Sequence, residues 1–145
     1  MDKKVVIGMI IAIAMLFYIG TTMFYNTGLG ITDLNVEEKT DSNTTQYELF
    51  YMLRSVRSFE YIDCQYTLLS DSGQEIATGS TTMINITDGT FNINETLNNT
   101  NNDSSQKAKE IQIRIFTEKF DPEQKNPDGT PKQSVFFEQT FPLNN

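Results

Sequence analysis

The sequence predicts an all-β domain of seven to eight antiparallel strands in two packed sheets, preceded by one N-terminal transmembrane α-helix. The chain opens with an uncharged run of 21 residues, from Val5 to Tyr25. Beyond this run, short stretches alternate apolar and polar side chains, which is the period of a half-buried strand. Turn residues separate these stretches, and two facing antiparallel sheets are the ordinary way to bury such faces.

The uncharged run is long enough to cross a bilayer as a helix. At about 1.5 Å per residue it would measure roughly 32 Å, close to the roughly 30 Å hydrocarbon core. A single span has to be helical, because lipid offers no partner for backbone polar groups. We therefore predict a cytoplasmic tip and helix in residues 1–25, a linker in 26–30 and an outer domain in 31–145, with anchoring side chains that include Val5, Ile11, Leu16, Phe17 and Phe24.

The flanking charges predict the orientation of this span. Lys3 and Lys4 precede it directly, whereas the next basic residue is Lys39. Basic residues favour the cytoplasmic side, so the N-terminus is expected inside and the C-terminal domain outside the cell membrane. The lipid bilayer is then one partner of the chain.

Two other interpretations of the apolar run remain open. A cleaved signal peptide would use the small residues Ala12-Ile13-Ala14, but a long apolar run continues after them. A buried helix of a soluble protein would normally show a polar face over this length. A retained anchor explains the pattern best.

Composition excludes several classes of function. The chain has 11 basic and 19 acidic residues, and removing Asp2, Lys3 and Lys4 leaves a net charge of about −9 outside. That balance argues against nucleic acid or anionic lipid as a partner of the outer domain. Histidine is absent and Cys64 is the single cysteine. The chain therefore has no intramolecular disulfide, no Ser-His-Asp or Cys-His arrangement, and no zinc or haem pattern.

Alternation of apolar and polar residues defines the predicted strands in order along the chain. They are Ile31 to Glu38 at an edge, Gln46 to Leu53, Tyr61 to Leu69, Glu75 to Ser80, Thr81 to Ile86, Thr90 to Leu97, a strand around Ile111 to Ile115, and Val135 to Phe141. The stretch from Gln46 through Phe59 also fits a helical period, but its tyrosines and phenylalanines favour a strand. Cys64 falls on the inward face of its strand and is expected to be a small buried residue.

Turn chemistry separates these strands. Ser70 to Gln74 forms a turn, and Asp88-Gly89 between two alternating runs is a strong hairpin signal. Asn98 to Gln106 is polar and of low complexity, which predicts a loop with nothing to bury. Phe120 to Gln133 holds three prolines and predicts a long exposed connection.

One hairpin resembles a known family. The sequence Tyr66-Thr67-Leu68-Leu69-Ser70-Asp71-Ser72-Gly73 is followed by Ile76-Ala77-Thr78-Gly79 and a strand pair around Asp88-Gly89. This pattern resembles the immunoglobulin-like domains of the FxLYD type on prokaryotic membrane proteins, and we expect an archaeal source. It departs in having tyrosine for phenylalanine, leucine for the second aromatic residue, and Ser70 before the aspartate. The resemblance covers about a quarter of the chain and implies an immunoglobulin-like β-sandwich without a catalytic residue.

Five Asn-x-Ser/Thr sequons lie on the predicted outer side. They begin at Asn43, Asn85, Asn94, Asn98 and Asn102. Glycosylation needs an exposed asparagine and a cell with the machinery, which archaea and eukaryotes have. The sites in the polar loop are better candidates than those within predicted strands.

Carboxylates offer little prospect of a metal site or of catalysis. Asp121, Glu123, Asn126 and Asp128 place oxygen ligands in one loop, but their spacing departs from an EF-hand. Pairs such as Glu37 with Glu38, or Glu118 with Asp121, could do acid–base work only across a cleft, so a solvated surface is the simpler interpretation. We expect no enzyme activity and no cofactor.

The leading hypothesis is a membrane-anchored extracytoplasmic module that binds another protein or the cell envelope. The alternative is a pilin-like or motor-associated assembly subunit, because an apolar helix before a β-domain also resembles prokaryotic pilins. Such subunits usually carry a basic residue and glycine directly before the apolar run. Here three residues separate Lys4 from Gly8, and no acidic residue follows within the run. A carboxylate hydrolase, which would need two acids roughly 5 to 10 Å apart in a cleft, is a third possibility.

Overall fold

The computed structural model describes residues 13–15, 18, 27–41, 44–100, 105–130 and 132–144. Seven β-strands make up most of this part of the chain. They are β1 (Leu29–Asp41), β2 (Thr44–Ser55), β3 (Phe59–Ser70), β4 (Glu75–Ile86), β5 (Gly89–Asn99), β6 (Ala108–Phe116) and β7 (Phe137–Pro142). The predicted all-β fold is therefore confirmed.

The strands form one curled antiparallel sheet in the order β1-β2-β5-β4-β3-β6-β7. The sheet has a three-strand part, β1-β2-β5, and a four-strand part, β4-β3-β6-β7. In the described chain two ladder pairs join them, Ala77 with Asn99 and Thr78 with Asn98, and the Thr100 N–H donates to the Ile76 carbonyl oxygen at 2.9 Å. Because this joint is so short, the parts curl toward each other and enclose one apolar core.

The core is built from the inward faces of the strands. β2 and β3 show strict alternation of buried and half-buried positions through most of their length. A fully buried Leu or Ile contributes roughly 1.5–3 kcal/mol relative to exposure, which favours this register over a slipped one. The predicted inward residues of β2, β3 and β6 are all buried, namely Tyr47, Leu49, Tyr51, Leu53, Ile62, Cys64, Tyr66, Leu68, Ile111, Ile113 and Ile115.

β4 differs from the sequence prediction. The sequence divides Glu75 to Ile86 into two strands, whereas the structure has one strand of 12 residues. Its partner β3 is equally long and pairs with it from Phe59 opposite Ile86 to Leu69 opposite Glu75. The hydrogen-bonding edge of β3 therefore keeps Gly79 and Ser80 extended, although these residues are weak strand formers.

The Asp88-Gly89 signal marks a crossing between the two parts of the sheet rather than a tight hairpin. β4 ends beside β3, with Ile86 opposite Phe59, and β5 begins beside β2, with Gly89 opposite Ser55. The two strands pair with each other only at their other ends. Both flanks of the turn thus find partners in different parts of the sheet, which overrides the local hairpin preference.

The strand directions place distinct loops at the two ends of the domain. We call the end at which β1 begins the entry end; it holds Gly28, the β2–β3 loop at 56–58, the β4–β5 turn at 87–88 and both ends of the β6–β7 connection. The opposite end, here the far end, holds the β3–β4 turn at 71–74. The preceding chain therefore joins the domain at the entry end.

The structure describes only a few residues of the predicted anchor. Residues 13–15, 18 and 27 are α-helical, and Ile13, Met15 and Tyr18 expose about two-thirds of their surface. Within the described ranges, no helix has the length and apolar character needed to cross a membrane. Most of Val5 to Tyr25 lies outside those ranges, so the span stays a prediction.

Candidate functional site

A buried polar cluster lies where the two parts of the sheet face each other. The hydroxyl oxygens of Tyr51 on β2 and Tyr66 on β3 are 2.8 Å apart. Their rings meet edge to face, with centroids 5.9 Å apart and planes at 73°. The thiol of Cys64, also on β3, is fully buried beside them. Each hydroxyl therefore finds a polar partner in an otherwise apolar core.

Burial keeps this cluster uncharged near neutral pH. It raises the pKa of the Cys64 thiol to about 11, although hydrogen bonding with Tyr51 lowers that pKa. Burial also raises the pKa of Tyr51 and that of Tyr66 well above the ordinary value near 10. Because the thiolate is the reactive form of cysteine, the protonated Cys64 is suited to packing and not to nucleophilic attack.

The cluster approaches the surface through β4 and β5. Thr81 influences the Tyr66 hydroxyl by a side-chain hydrogen bond, and it donates to the Glu95 carboxylate at 2.9 Å. Glu95 lines an open depression that also contains Asp63 and Arg114. Asp63 accepts hydrogen bonds from Gln65 and Thr82, at 3.1 Å each. Both carboxylates are therefore engaged by neighbouring side chains.

A second built site is the junction between the helical residues and β1. Arg57, in the β2–β3 loop, donates from Nε to the carbonyl oxygen of Thr27 at 2.9 Å, and its second guanidinium nitrogen donates to the same oxygen. The backbone N–H of Val56 donates to the Gly28 carbonyl at 3.0 Å. Cations and hydrogen-bond donors stabilise the carbonyl groups at a helix C-terminus, so Arg57 suits this position.

Aromatic rings hold the guanidinium group of Arg57 in place. Its central carbon lies 5.4 Å from the ring centroid of Phe59 and 5.5 Å from that of Phe136. The two rings pack edge to face at 5.7 Å. A cation over an aromatic face contributes roughly 0.5–1 kcal/mol at an exposed site. We call Thr27, Gly28, Arg57, Phe59 and Phe136 the junction cluster.

Gly28 is the residue that permits this close approach. It has φ +71°, a conformation that favours glycine and commonly ends a helix. A Cβ added there would lie 2.8 Å from Arg57 Nε. Gly28 follows helical Thr27 and precedes Leu29, which is fully buried in β1. The predicted linker of residues 26–30 thus contains a fastened turn and the start of a strand.

Three of the predicted glycosylation sites lie in the described residues. Asn85 is the second-to-last residue of β4 and has φ +51°, while Asn94 and Asn98 lie on β5. All three are exposed, as attachment of a glycan requires. Asn43 and Asn102 lie outside the described residues, as do Lys3, Lys4 and the predicted anchor residues Val5, Ile11, Leu16, Phe17 and Phe24.

The acidic loop between β6 and β7 uses its oxygen atoms in local turns. Asp121 Oδ1 accepts from the Glu123 backbone N–H at 2.9 Å. Asp128 Oδ1 accepts from the backbone and hydroxyl of Thr130, and these bonds lower the pKa of Asp128. Within the described parts of the chain, no group of three or more Cys, Asp or Glu residues could hold a metal ion.

Comparison of the chain with protein-family models, with curated proteins and with solved structures finds no match. Assignment of a role therefore depends on the physical features of the chain itself.

The junction cluster was not predicted from the sequence. Thr27 and Arg57 are 30 positions apart, and no local pattern joins them. The available signal was the glycine three residues after the apolar run, since Gly is the preferred residue just past a helix end. The sequence did not indicate which of its basic residues would bind the carbonyl group at this helix end.

Proposed function

We propose that this chain is a single-pass membrane protein that presents its β-domain outside the cell membrane as a binding or structural module. The cytoplasmic N-terminus, the lipid-embedded helix and the outer domain follow from the uncharged run and the basic residues before it. One observation carries the proposal. A 21-residue uncharged run leads directly into a turn, at Thr27 and Gly28, that is fastened to the β-domain.

The strand order supports the finer proposal of an immunoglobulin-like β-sandwich. Immunoglobulin-type domains divide seven antiparallel strands between two facing sheets. Here β1-β2-β5 and β4-β3-β6-β7 correspond to such a division, with the fourth strand beside the third. The Tyr51–Tyr66 contact between β2 and β3 supports face-to-face packing of the two parts. The FxLYD-type resemblance would fall on the β3–β4 hairpin and contributes to the fold alone.

A binding or structural role is favoured over catalysis by the chemistry of the polar groups. The buried thiol and both buried hydroxyls are protonated near neutral pH, because burial raises their pKa values. The carboxylates Asp63 and Glu95 are hydrogen-bonded to neighbouring side chains. These groups are therefore suited to holding the fold. The partner we propose is another protein or a component of the cell envelope.

Analysis of the native N-terminus tests the proposed anchor against the assembly-subunit alternative. We expect the mature protein to retain Met1. A mature chain that begins at Met9, after cleavage at Gly8, would support a filament subunit instead and would contradict the anchored module.

Crosslinking in intact cells tests the binding role. Photoreactive groups placed on exposed positions of the outer faces, such as Asn92 or Thr140, should capture a defined envelope protein or polymer. A matched group at buried Leu68 should capture nothing. Equal capture of many unrelated proteins from every exposed position would argue against a specific binding module.

A further inference from the structure

The exposed apolar side chains of the β-domain gather at one end. Within the described residues from Leu29 onward, the large apolar side chains that stay exposed are Val56, Ile84, Phe120 and Val135, at 50%, 65%, 51% and 42%. Val56 is in the β2–β3 loop, Ile84 pairs with Tyr61 near the start of β3, and the other two lie within the β6–β7 connection, toward its two ends. All four positions belong to the entry end.

Two of these side chains, Val56 and Val135, lie beside the junction cluster. Val56 is bonded through its backbone to Gly28, and Val135 precedes Phe136, whose ring contacts Arg57. Ile84 and Tyr61 line a shared depression with residues 117–119. We call Val56, Ile84, Phe120 and Val135 the apolar rim. The rim thus lies at the same end of the domain as the point at which the preceding chain enters it.

The fastened junction limits how far the rim can stand from a membrane. A helical span that ends near Tyr25 would place Thr27 about 3 Å farther along its axis. The headgroup layer is roughly 5 to 7 Å thick on each side of the hydrocarbon core. Arg57 and Val56 hold Thr27 and Gly28 against the domain, so the described chain from Thr27 onward contains no free linker. The entry end would therefore lie at headgroup level.

We propose that the apolar rim is a lipid-contacting surface that seats the domain on the bilayer. This inference rests on the proposed membrane anchor. Side chains at this level bury apolar area among the lipid headgroups, and aromatic and basic residues extend from the boundary into the polar layer. Lys119, whose ammonium group lies 5.9 Å from the Tyr61 ring centroid, fits that position.

The charges at the entry end select the kind of lipid. Glu60, Asp88 and Glu118 are exposed there beside Arg57 and Lys119. Because these three acidic residues outnumber the two basic ones, an anionic surface would gain little attraction. The rim is therefore matched to a bilayer surface of low net charge. The far end and the outer faces of the sheet remain open to a protein or envelope partner.

Site-directed fluorescence on the full chain tests the proposal. Val56→Cys and Val135→Cys carry an environment-sensitive fluorophore at the rim, and Ser72→Cys carries it at the far end. The unmodified chain is the labelling control, because its Cys64 is fully buried. The proteins are reconstituted in phosphatidylcholine vesicles that contain a lipid with a headgroup-level quencher.

We expect quenching at positions 56 and 135 to exceed that at position 72 by at least about twofold, at equal recovery of the three variants with floating vesicles. Equal quenching at all three positions in a chain that floats would overturn the seated orientation and leave the anchor intact. A chain that does not float would overturn the anchor, and the rim proposal with it. Emission changes at 56 and 135 that depend on protein concentration, without quenching, would assign the rim to a second copy and contradict the proposal.

Discussion

The hydroxyl groups of Tyr51 and Tyr66 lie 2.8 Å apart, although the strands that carry them are not neighbours in the sheet. Two strands, β5 and β4, separate β2 from β3 in the strand order. The contact therefore shows directly that the two parts of the curled sheet face each other across the core. Disrupting it tests the architecture as well as the local hydrogen bond.

A double-mutant cycle on this pair should show strong coupling. Tyr51→Phe and Tyr66→Phe should each lower the free energy of unfolding by about 1–3 kcal/mol, because each leaves a buried hydroxyl without one partner. The double variant should cost less than the sum of the two, since both polar groups are then removed together. Urea unfolding measures the three values. Strict additivity would show that the hydroxyl groups do not interact in solution.

Stability should fall as the pH rises above about 9. The pKa of the Cys64 thiol is raised from 9.0 to about 11 in the folded chain. Below pH 9 the Cys64 thiol is protonated in both the folded and the unfolded chain, so its titration does not reduce stability there. Between pH 9 and 11 only the unfolded state loses it, so stability declines by up to about 1.4 kcal/mol per pH unit for this group. The buried tyrosines add to the decline from about pH 10.

Urea unfolding between pH 7 and 11 measures this decline, and Cys64→Ala is the matched control. The variant should be less stable at pH 7 because it leaves a small cavity, but its stability should change less between pH 9 and 10. The two proteins are therefore compared by how steeply their free energy of unfolding changes with pH, and not by its absolute value. An identical slope in both proteins would contradict a buried, protonated thiol.

Gly79 should not tolerate a side chain. An added Cβ would lie 2.7 Å from Leu97 Cδ2, and Leu97 is only 2% exposed, so it has little room to move. Gly79→Ala should therefore cost about 1–3 kcal/mol through overpacking. The neighbouring Ser80→Ala, at an exposed position, should change stability by less than about 0.5 kcal/mol. Equal effects of the two changes would place β5 farther from β4 than the structure does.

The junction cluster should protect the Val56 amide from hydrogen exchange. Arg57→Ala removes the bonds to Thr27, and Gly28→Ala places a methyl group against Arg57. Either change should loosen the turn and speed exchange of the Val56 N–H by about tenfold, equivalent to about 1.4 kcal/mol. Lys39→Ala, which breaks only the exposed ion pair with Glu48, should leave that amide unchanged. Unchanged exchange in both junction variants would indicate a free hinge.

The exposed sequons predict glycan attachment in a cell with the required machinery. Asn98 should be occupied more readily than Asn85, because the bilayer would restrict access to the entry end. Mass spectrometry of the native protein with Asn98→Gln and Asn85→Gln measures the occupancy of each. A native mass equal to that of the bare polypeptide would remove this expectation.

Strand identity and the inward faces could be predicted where the side chains alternate clearly. In β2, Tyr47 to Leu53 alternates with polar or half-buried residues, and the structure buries the predicted set. The alternation is decisive there because a shift of one residue would expose the whole apolar face. β4 could not be predicted as one strand, because its continuity comes from pairing with β3 and not from its own residues.

The junction and the crossing at Asp88 could not be predicted, for a related reason. Both depend on partners that are distant along the chain. Arg57 reaches Thr27 across 30 positions, and the two flanks of the turn pair with β3 and β2. The local sequence predicts a turn at Gly28 and at Gly89, but it does not predict which residues pack against that turn. Tertiary contacts determine these partners.

The most direct test of the central claim is alkaline extraction of native membranes, combined with protease treatment of intact cells. We predict that the chain stays with the membrane pellet, keeps Met1, and loses its β-domain to protease added outside the cell. Recovery of the whole chain in the aqueous fraction, with Met1 intact, would contradict the membrane anchor and the outward orientation together.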